Sequence, residues 1–179
     1  MFGTAVRYGA ISGAIIVGVL ILGIVLSHEH SDGHLFTSEI FGYLVMFVAL
    51  SMIFIAIREH RNTKLGGVIK FLPAFGMGLL IAFIAGLAYV AGWEMYLAAT
   101  HYTFMDNYVA HMIEAKRAAG VSGAELEAYM AQMNQMKAAY ANPLFRLPMT
   151  FAEIFPVGLL VALISAAILR NPRVLPARG

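Results

Sequence analysis

Apolar residues fall along the chain in four long blocks, about Val6–Leu26, Ile40–Ile57, Phe71–Tyr96 and Phe151–Leu169. Each is long enough to cross a hydrocarbon core of about 30 Å, which takes roughly 20 helical residues. No block alternates with the period of two that a strand requires, and open sheets leave backbone groups unsatisfied in lipid. The pattern predicts an all-α integral membrane protein, a bundle of four transmembrane helices in a single membrane domain over 1–179. The first block exceeds the roughly 7–15 apolar residues of a signal peptide and no A-x-A site follows it, so it reads as a span.

Between the third and fourth blocks the pattern changes to amphipathic helix. Phe104, Met105, Tyr108, Val109, Met112 and Ile113 recur at helical spacing, and Gly120 stops that helix. Ser122-Gly123-Ala124-Glu125 reads as a capping box that starts the next. Leu126, Tyr129, Met130, Met133, Met136 and Tyr140 share one face of it, and Asn142-Pro143 ends it. The segment predicts an extramembrane helical hairpin over about 103–141. Its apolar faces pack on each other, on the outer ends of the spans, or in the headgroup region. The third block is longer than a bare span, so it tilts or projects by a turn or two. Tyr89, Trp93 and Tyr96 then fall where an aromatic belt is expected. Pro156 frees a carbonyl early in the fourth span and predicts a bend.

Charge supplies an orientation. Arg58, Arg61, Lys64 and Lys70 lie between the second and third spans, Arg170, Arg173 and Arg178 follow the fourth, and Arg7 precedes most of the first. The first loop has neither Lys nor Arg. The bias places both termini and the middle loop in the cytoplasm, and the first loop and the 98–148 segment outside. Composition agrees with the blocks: 60% of residues are hydrophobic and 12% charged, against roughly 25% charged in a soluble domain. A net charge of +2 is too small to point to nucleic acid, and the absence of cysteine removes disulfides and thiolate chemistry.

Small residues predict close helix packing. Ala74, Gly78, Ala82 and Gly86 recur every fourth position in span three, as do Gly158, Ala162 and Ala166 in span four, and Gly9 and Gly13 in span one. Such stripes serve contacts within one subunit or a dimer interface.

The candidate chemistry is sparse. The stretch "SHEHSDGH" carries His28, His30, Asp32 and His34. They are either ligands for a divalent metal such as zinc, nickel or copper, which imidazole suits, or a solvated loop. Met130, Met133 and Met136 offer thioethers to Cu(I), but their shared apolar face favours packing. Three acids lie near the outer ends of spans. Glu39 follows Ser38 at a helix start, and Glu153 closes Thr150-Phe151-Ala152-Glu153, a second capping box. Glu94 has no such explanation and calls for a partner, His101 or a residue of the hairpin. No nucleotide-binding loop, serine triad or H-E-x-x-H motif occurs, so no catalytic residue and no enzyme are expected.

The succession "RYGAISG", "GYLVMFVALSMIFIAIREHR", "PAFGMGLLIAFIAGLAYVAGWEMY", "NYVAHMIEAKRAAGVSGAELEAYM", "YANPLF" and "TFAEIFPVGLLVALISAAILR" resembles the bacterial domain-of-unknown-function 4199 family over nearly the whole chain. The resemblance implies a four-span bacterial membrane protein without an assigned activity, and it brings no catalytic residues. "SHEHSDGH" is not among the family-like stretches and reads as a local elaboration.

These readings together predict a non-enzymatic protein of the bacterial cytoplasmic (inner) membrane. It would be a scaffold, accessory or complex subunit acting through its outer hairpin and small-residue stripes. The alternatives are an outer-face metal-handling protein using His, Met and Glu94, and a small proton-linked transporter. Against the latter, no acid or base lies near the middle of a span. No cofactor is expected, with a divalent metal at the outer histidines as the exception. The expected partners are the lipid bilayer and a second copy or a membrane-complex subunit, with no nucleic acid.

Overall fold

The computed structural model describes residues 1–29 and 39–176, with the side chains of all of these except 23–29 and 39–41. Among the described residues there are seven helices: α1 Phe2–Glu29, α2 Glu39–Leu50, α3 Met52–Lys64, α4 Phe71–Ala99, α5 Phe104–Ala118, α6 Gly123–Tyr140 and α7 Pro143–Leu169. Four stretches of the described residues are long and apolar enough to cross a bilayer: Phe2–Leu22, Gly42–Lys64, Phe71–Ala99 and Pro143–Leu169. The chain is an all-α, multi-pass membrane protein, and α5 and α6 are not among its spans.

Two element boundaries differ from the pattern reading. The second span is two helices joined at Ser51, whose hydroxyl donates to the Val48 carbonyl at 2.6 Å. The Ser51 amide is shared between Phe47 and Val48 carbonyls at 2.9 and 3.2 Å, the local competition that bends helices. Helix α3 then continues past the apolar run to Lys64. Its buried positions are Ile53, Ala56, Ile57, His60 and Arg61, a helical stripe that ends in polar residues and so escapes a hydropathy reading.

The fourth span begins at Pro143, about two turns before the expected Phe151. Pro143 occupies the first helical position, where its missing N–H does no harm. The Asn142 side chain accepts the Leu144 amide at 3.0 Å and caps the helix. Thr150 is therefore interior, and its hydroxyl donates back to the Arg146 carbonyl at 3.0 Å. The Thr150–Glu153 capping box does not form. At Ser122 the helix start is as expected, but the serine side chain makes no capping bond.

The fold divides into two compact units, Met1–Gly92 with Phe151–Gly179, and Trp93–Thr150. In the first, Ile16, Leu50, Ile53, Ile57, Met77, Ile81, Ile154 and Leu169 form the buried core. Glycines bring its helices close. A Cβ on Gly78 would lie 2.7 Å from the Ala162 Cβ, and one on Gly158 would lie 2.5 Å from the Ala82 Cβ. One on Gly86 would lie 2.6 Å from the Phe151 ring, and one on Gly9 2.8 Å from Ile84. The stripes of spans three and four thus meet each other within the chain at Gly78–Ala162 and Ala82–Gly158, while that of span one meets other residues of α4.

In the second unit, α5 and α6 pack through Met105, Val109 and Met133, with Met112, Ile113, Tyr129, Met136 and Tyr140 around them. Gly120 turns the chain between the two helices at φ +85°, in the left-handed region that favours glycine. The apolar faces of the hairpin cover each other.

Candidate functional site

Arg146 sits in the first turn of α7, where the side chains of a helix point back toward its N-terminus. Its guanidinium meets Glu94, in the last turns of α4, as a two-pronged pair: Nε to Oε1 at 2.7 Å and Nη2 to Oε2 at 2.8 Å. Such planar pairing is the strong form of a charge-assisted hydrogen bond. The Arg146 side chain is 5% exposed and that of Glu94 26%. The remaining nitrogen, Nη1, donates to the Tyr140 and Ala141 carbonyls at 3.1 and 3.4 Å. It thereby satisfies the end of α6 and places a positive charge at the negative end of that helix.

Aromatic residues surround the pair. The Arg146 Cζ lies 5.3 Å from the Tyr102 ring centre and 5.8 Å from that of Tyr140. The Trp93 indole N–H donates to the Tyr140 hydroxyl at 2.6 Å, and its ring meets Phe104 edge to face at 4.9 Å. Tyr102 is placed by an unusual turn. His101 and Tyr102 both have left-handed backbones, φ 51° and 58°, and the Tyr102 amide donates to the Leu97 carbonyl at 2.7 Å. That closes the end of α4 in the manner of a glycine cap, at a strain of order 1–3 kcal/mol per residue.

Beside the pair is a cavity of about 420 Å³, whose wall includes Leu97, Tyr102, Met105, Tyr140 and Arg146. Asp106 of α5 and Lys137 of α6 also line it, joined as an ion pair. The arrangement offers fixed charge and aromatic surface. It does not pair a nucleophile with a free base, because Glu94 has both oxygens engaged by Arg146.

The other residues singled out from the sequence lie elsewhere. His101 is exposed in the turn after α4, and Glu94 is paired with neither His101 nor the hairpin but with Arg146. Glu153 belongs to the other unit, where it accepts from the Tyr89 hydroxyl at 3.2 Å. It lines a second cavity, of about 290 Å³, with Gly42, Tyr43 and Met46. Met133 and Met136 are part of the hairpin packing. His28 is in the last turn of α1, while His30, Asp32 and His34 lie outside the described residues, as does the side chain of Glu39. Among the described residues no three of His, Asp or Glu cluster as a metal site would require.

Two arginines were missed by the sequence reading. The sequence reading gives Arg146 no role, although a lone cation between Phe145 and Leu147 is a signal in itself. Arg61 was counted as a topology determinant, yet it is fully buried. It donates to Asn62 Oδ1 at 2.9 Å and to the carbonyls of Leu169 and Val174 at 3.2 and 3.0 Å, and also to that of Leu175. Nearby in sequence, Glu59 accepts both Arg7, at 2.9 Å, and the Tyr8 hydroxyl.

Among known proteins, a family model described as a protein of unknown function (DUF4199) matches residues 7–171. No curated protein and no solved structure matches the chain.

Proposed function

Since the chain belongs to the DUF4199 family, which carries no assigned activity, we propose from its geometry that it is a non-enzymatic scaffold, accessory or complex subunit of a bacterial cytoplasmic membrane. The observation that supports this best is the bracing of the Trp93–Thr150 unit. One nearly buried guanidinium holds Glu94 of α4 and the carbonyl end of α6 from its place in α7. A passive connector between spans needs no such brace, whereas a surface that must keep its shape for a partner does. The working surface is then the outward, polar side of α5 and α6, since their apolar sides cover each other.

The metal-handling alternative loses two of its ligand sources to packing. Glu94 is committed to Arg146, and Met133 is buried in the hairpin. It keeps His28, His30, Asp32 and His34, with the partly buried Met130 and Met136.

Native mass spectrometry of the full chain extracted in lipid nanodiscs from its own membrane tests the proposal. A defined assembly, with a second copy or with another membrane protein, is expected. A monomer at every protein-to-lipid ratio, with no companion chain, would overturn it.

A further inference from the structure

We infer that the cavity beside Arg146 is a binding site for a small amphipathic anion, a carboxylate on an aromatic or apolar body. The inference goes beyond the scaffold reading and does not rest on it, because every lining residue belongs to the Trp93–Thr150 unit. At about 420 Å³ the cavity lies within the range of roughly 300–1,000 Å³ typical of small-molecule sites.

Charge selects the sign of the ligand. Three charged side chains line the cavity: Arg146, Lys137 and Asp106. Two are cations, and the one carboxylate is already engaged by Lys137. The Glu94 carboxylate is held on Arg146 and is not part of the lining. A cationic ligand would face both cations with no free acid to meet it. An anion, in contrast, finds spare donors. A guanidinium has five N–H groups. Those of Arg146 go to Glu94 twice and to the Tyr140 and Ala141 carbonyls, which leaves one on Nη2. The Lys137 ammonium has three, and its carboxylate partner is half exposed and exchangeable.

The rest of the wall selects the body. Tyr102 and Tyr140 present rings, and Leu97 and Met105 present apolar surface. The strained turn at His101 and Tyr102 is what sets the Tyr102 ring against the guanidinium. Strain of that kind is kept where surrounding structure imposes it, commonly at ligand sites. A ring carrying a carboxylate matches both halves of the cavity: stacking on tyrosine and charge toward Lys137 and Arg146.

The probe is phenylacetate, titrated calorimetrically into the full chain in phosphatidylcholine nanodiscs. Benzylamine keeps the ring and reverses the charge, and inorganic phosphate keeps the charge without the body. Saturable one-to-one binding of phenylacetate alone is expected. Lys137→Met should weaken it about tenfold, and Tyr102→Ala by a similar factor. Lys116→Met, which removes a cation outside the cavity, should leave it unchanged. Both test side chains are about half solvent-facing, so the fold is expected to survive, and the melting of each variant is measured alongside. No saturable phenylacetate binding, benzylamine binding as tightly, or unchanged affinity in either test variant would each overturn the site.

Discussion

Removing one member of the Glu94–Arg146 pair is a different experiment from removing both. Glu94→Ala leaves an almost buried guanidinium without its counter-charge. Breaking a buried pair in this way costs roughly 3–5 kcal/mol, and the partial exposure of Glu94 puts the expected loss near ~3 kcal/mol. Glu94→Leu combined with Arg146→Met should lose less than Glu94→Ala alone, because no charge is left stranded. The half-exposed Asp106–Lys137 pair should matter less, with Lys137→Met changing stability by under about 1 kcal/mol. Trp93 is the chain's one tryptophan and is bonded to Tyr140 in the same unit. Its fluorescence during thermal unfolding in lipid reads all three variants. A Glu94→Ala protein that melts with wild type would show that the pair braces nothing. At this scale the sequence was half legible: Glu94 announced the need for a partner by its apolar surroundings. Its partner lies 52 positions away on another helix, and helical spacing carries no information about contact between helices.

At the scale of elements, the small-residue stripes were legible because close helix packing requires them, and Gly78 and Gly76 now make a sharp contrast two residues apart. Gly76 has open space where a Cβ would be. Gly76→Ala should therefore be neutral or stabilise α4 by up to ~1 kcal/mol, the ordinary gain of alanine over glycine in a helix. At Gly78 the new methyl would lie 2.7 Å from the Ala162 Cβ and 3.1 Å from Ile53. A Cβ is fixed to its backbone, so relief requires α4 and α7 to separate, and Gly78→Ala should lower the melting temperature. Gly86→Ala meets the edge of the Phe151 ring instead, which can swing, so its effect should be smaller. Equal melting of the Gly76 and Gly78 variants would mean that the close approach is absent in the membrane. Helix ends were less legible than helix faces. Thr150 looked like a cap because Pro148 and Arg146 before it looked like loop. Yet a proline six positions into α7 forfeits only one carbonyl partner near a helix end, and the true cap is Asn142.

At the scale of the whole molecule, the four spans were legible because lipid demands length and apolarity in one continuous run. The division into two compact units was not, since its boundaries at Gly92 and Thr150 fall inside α4 and α7, which run on unbroken through Gly92 and Pro148. Orientation is the expectation with the simplest test. The chain contains no cysteine, so single cysteines report without background. Ser122→Cys should react with an impermeant maleimide added to intact spheroplasts, and Leu65→Cys only after the membrane is opened. The reverse pattern would invert the topology drawn from Arg58, Arg61, Lys64 and Lys70.

Arg61 also sets a timetable. Its acceptors on Val174 and Leu175 come 113 and 114 residues later in the chain. At about 5–20 residues per second, translation reaches Leu175 roughly 6–23 seconds after Arg61 is made. For that interval the nascent chain holds a cation at a site that will later exclude water, so the step that adds Val174 and Leu175 is also the step that gives Arg61 its full set of acceptors. A chain terminated after Asn171 never reaches it and should be cleared faster in a pulse-chase. Exchanging Arg61 for Leu in the same shortened chain should restore its lifetime by removing the charge that waits.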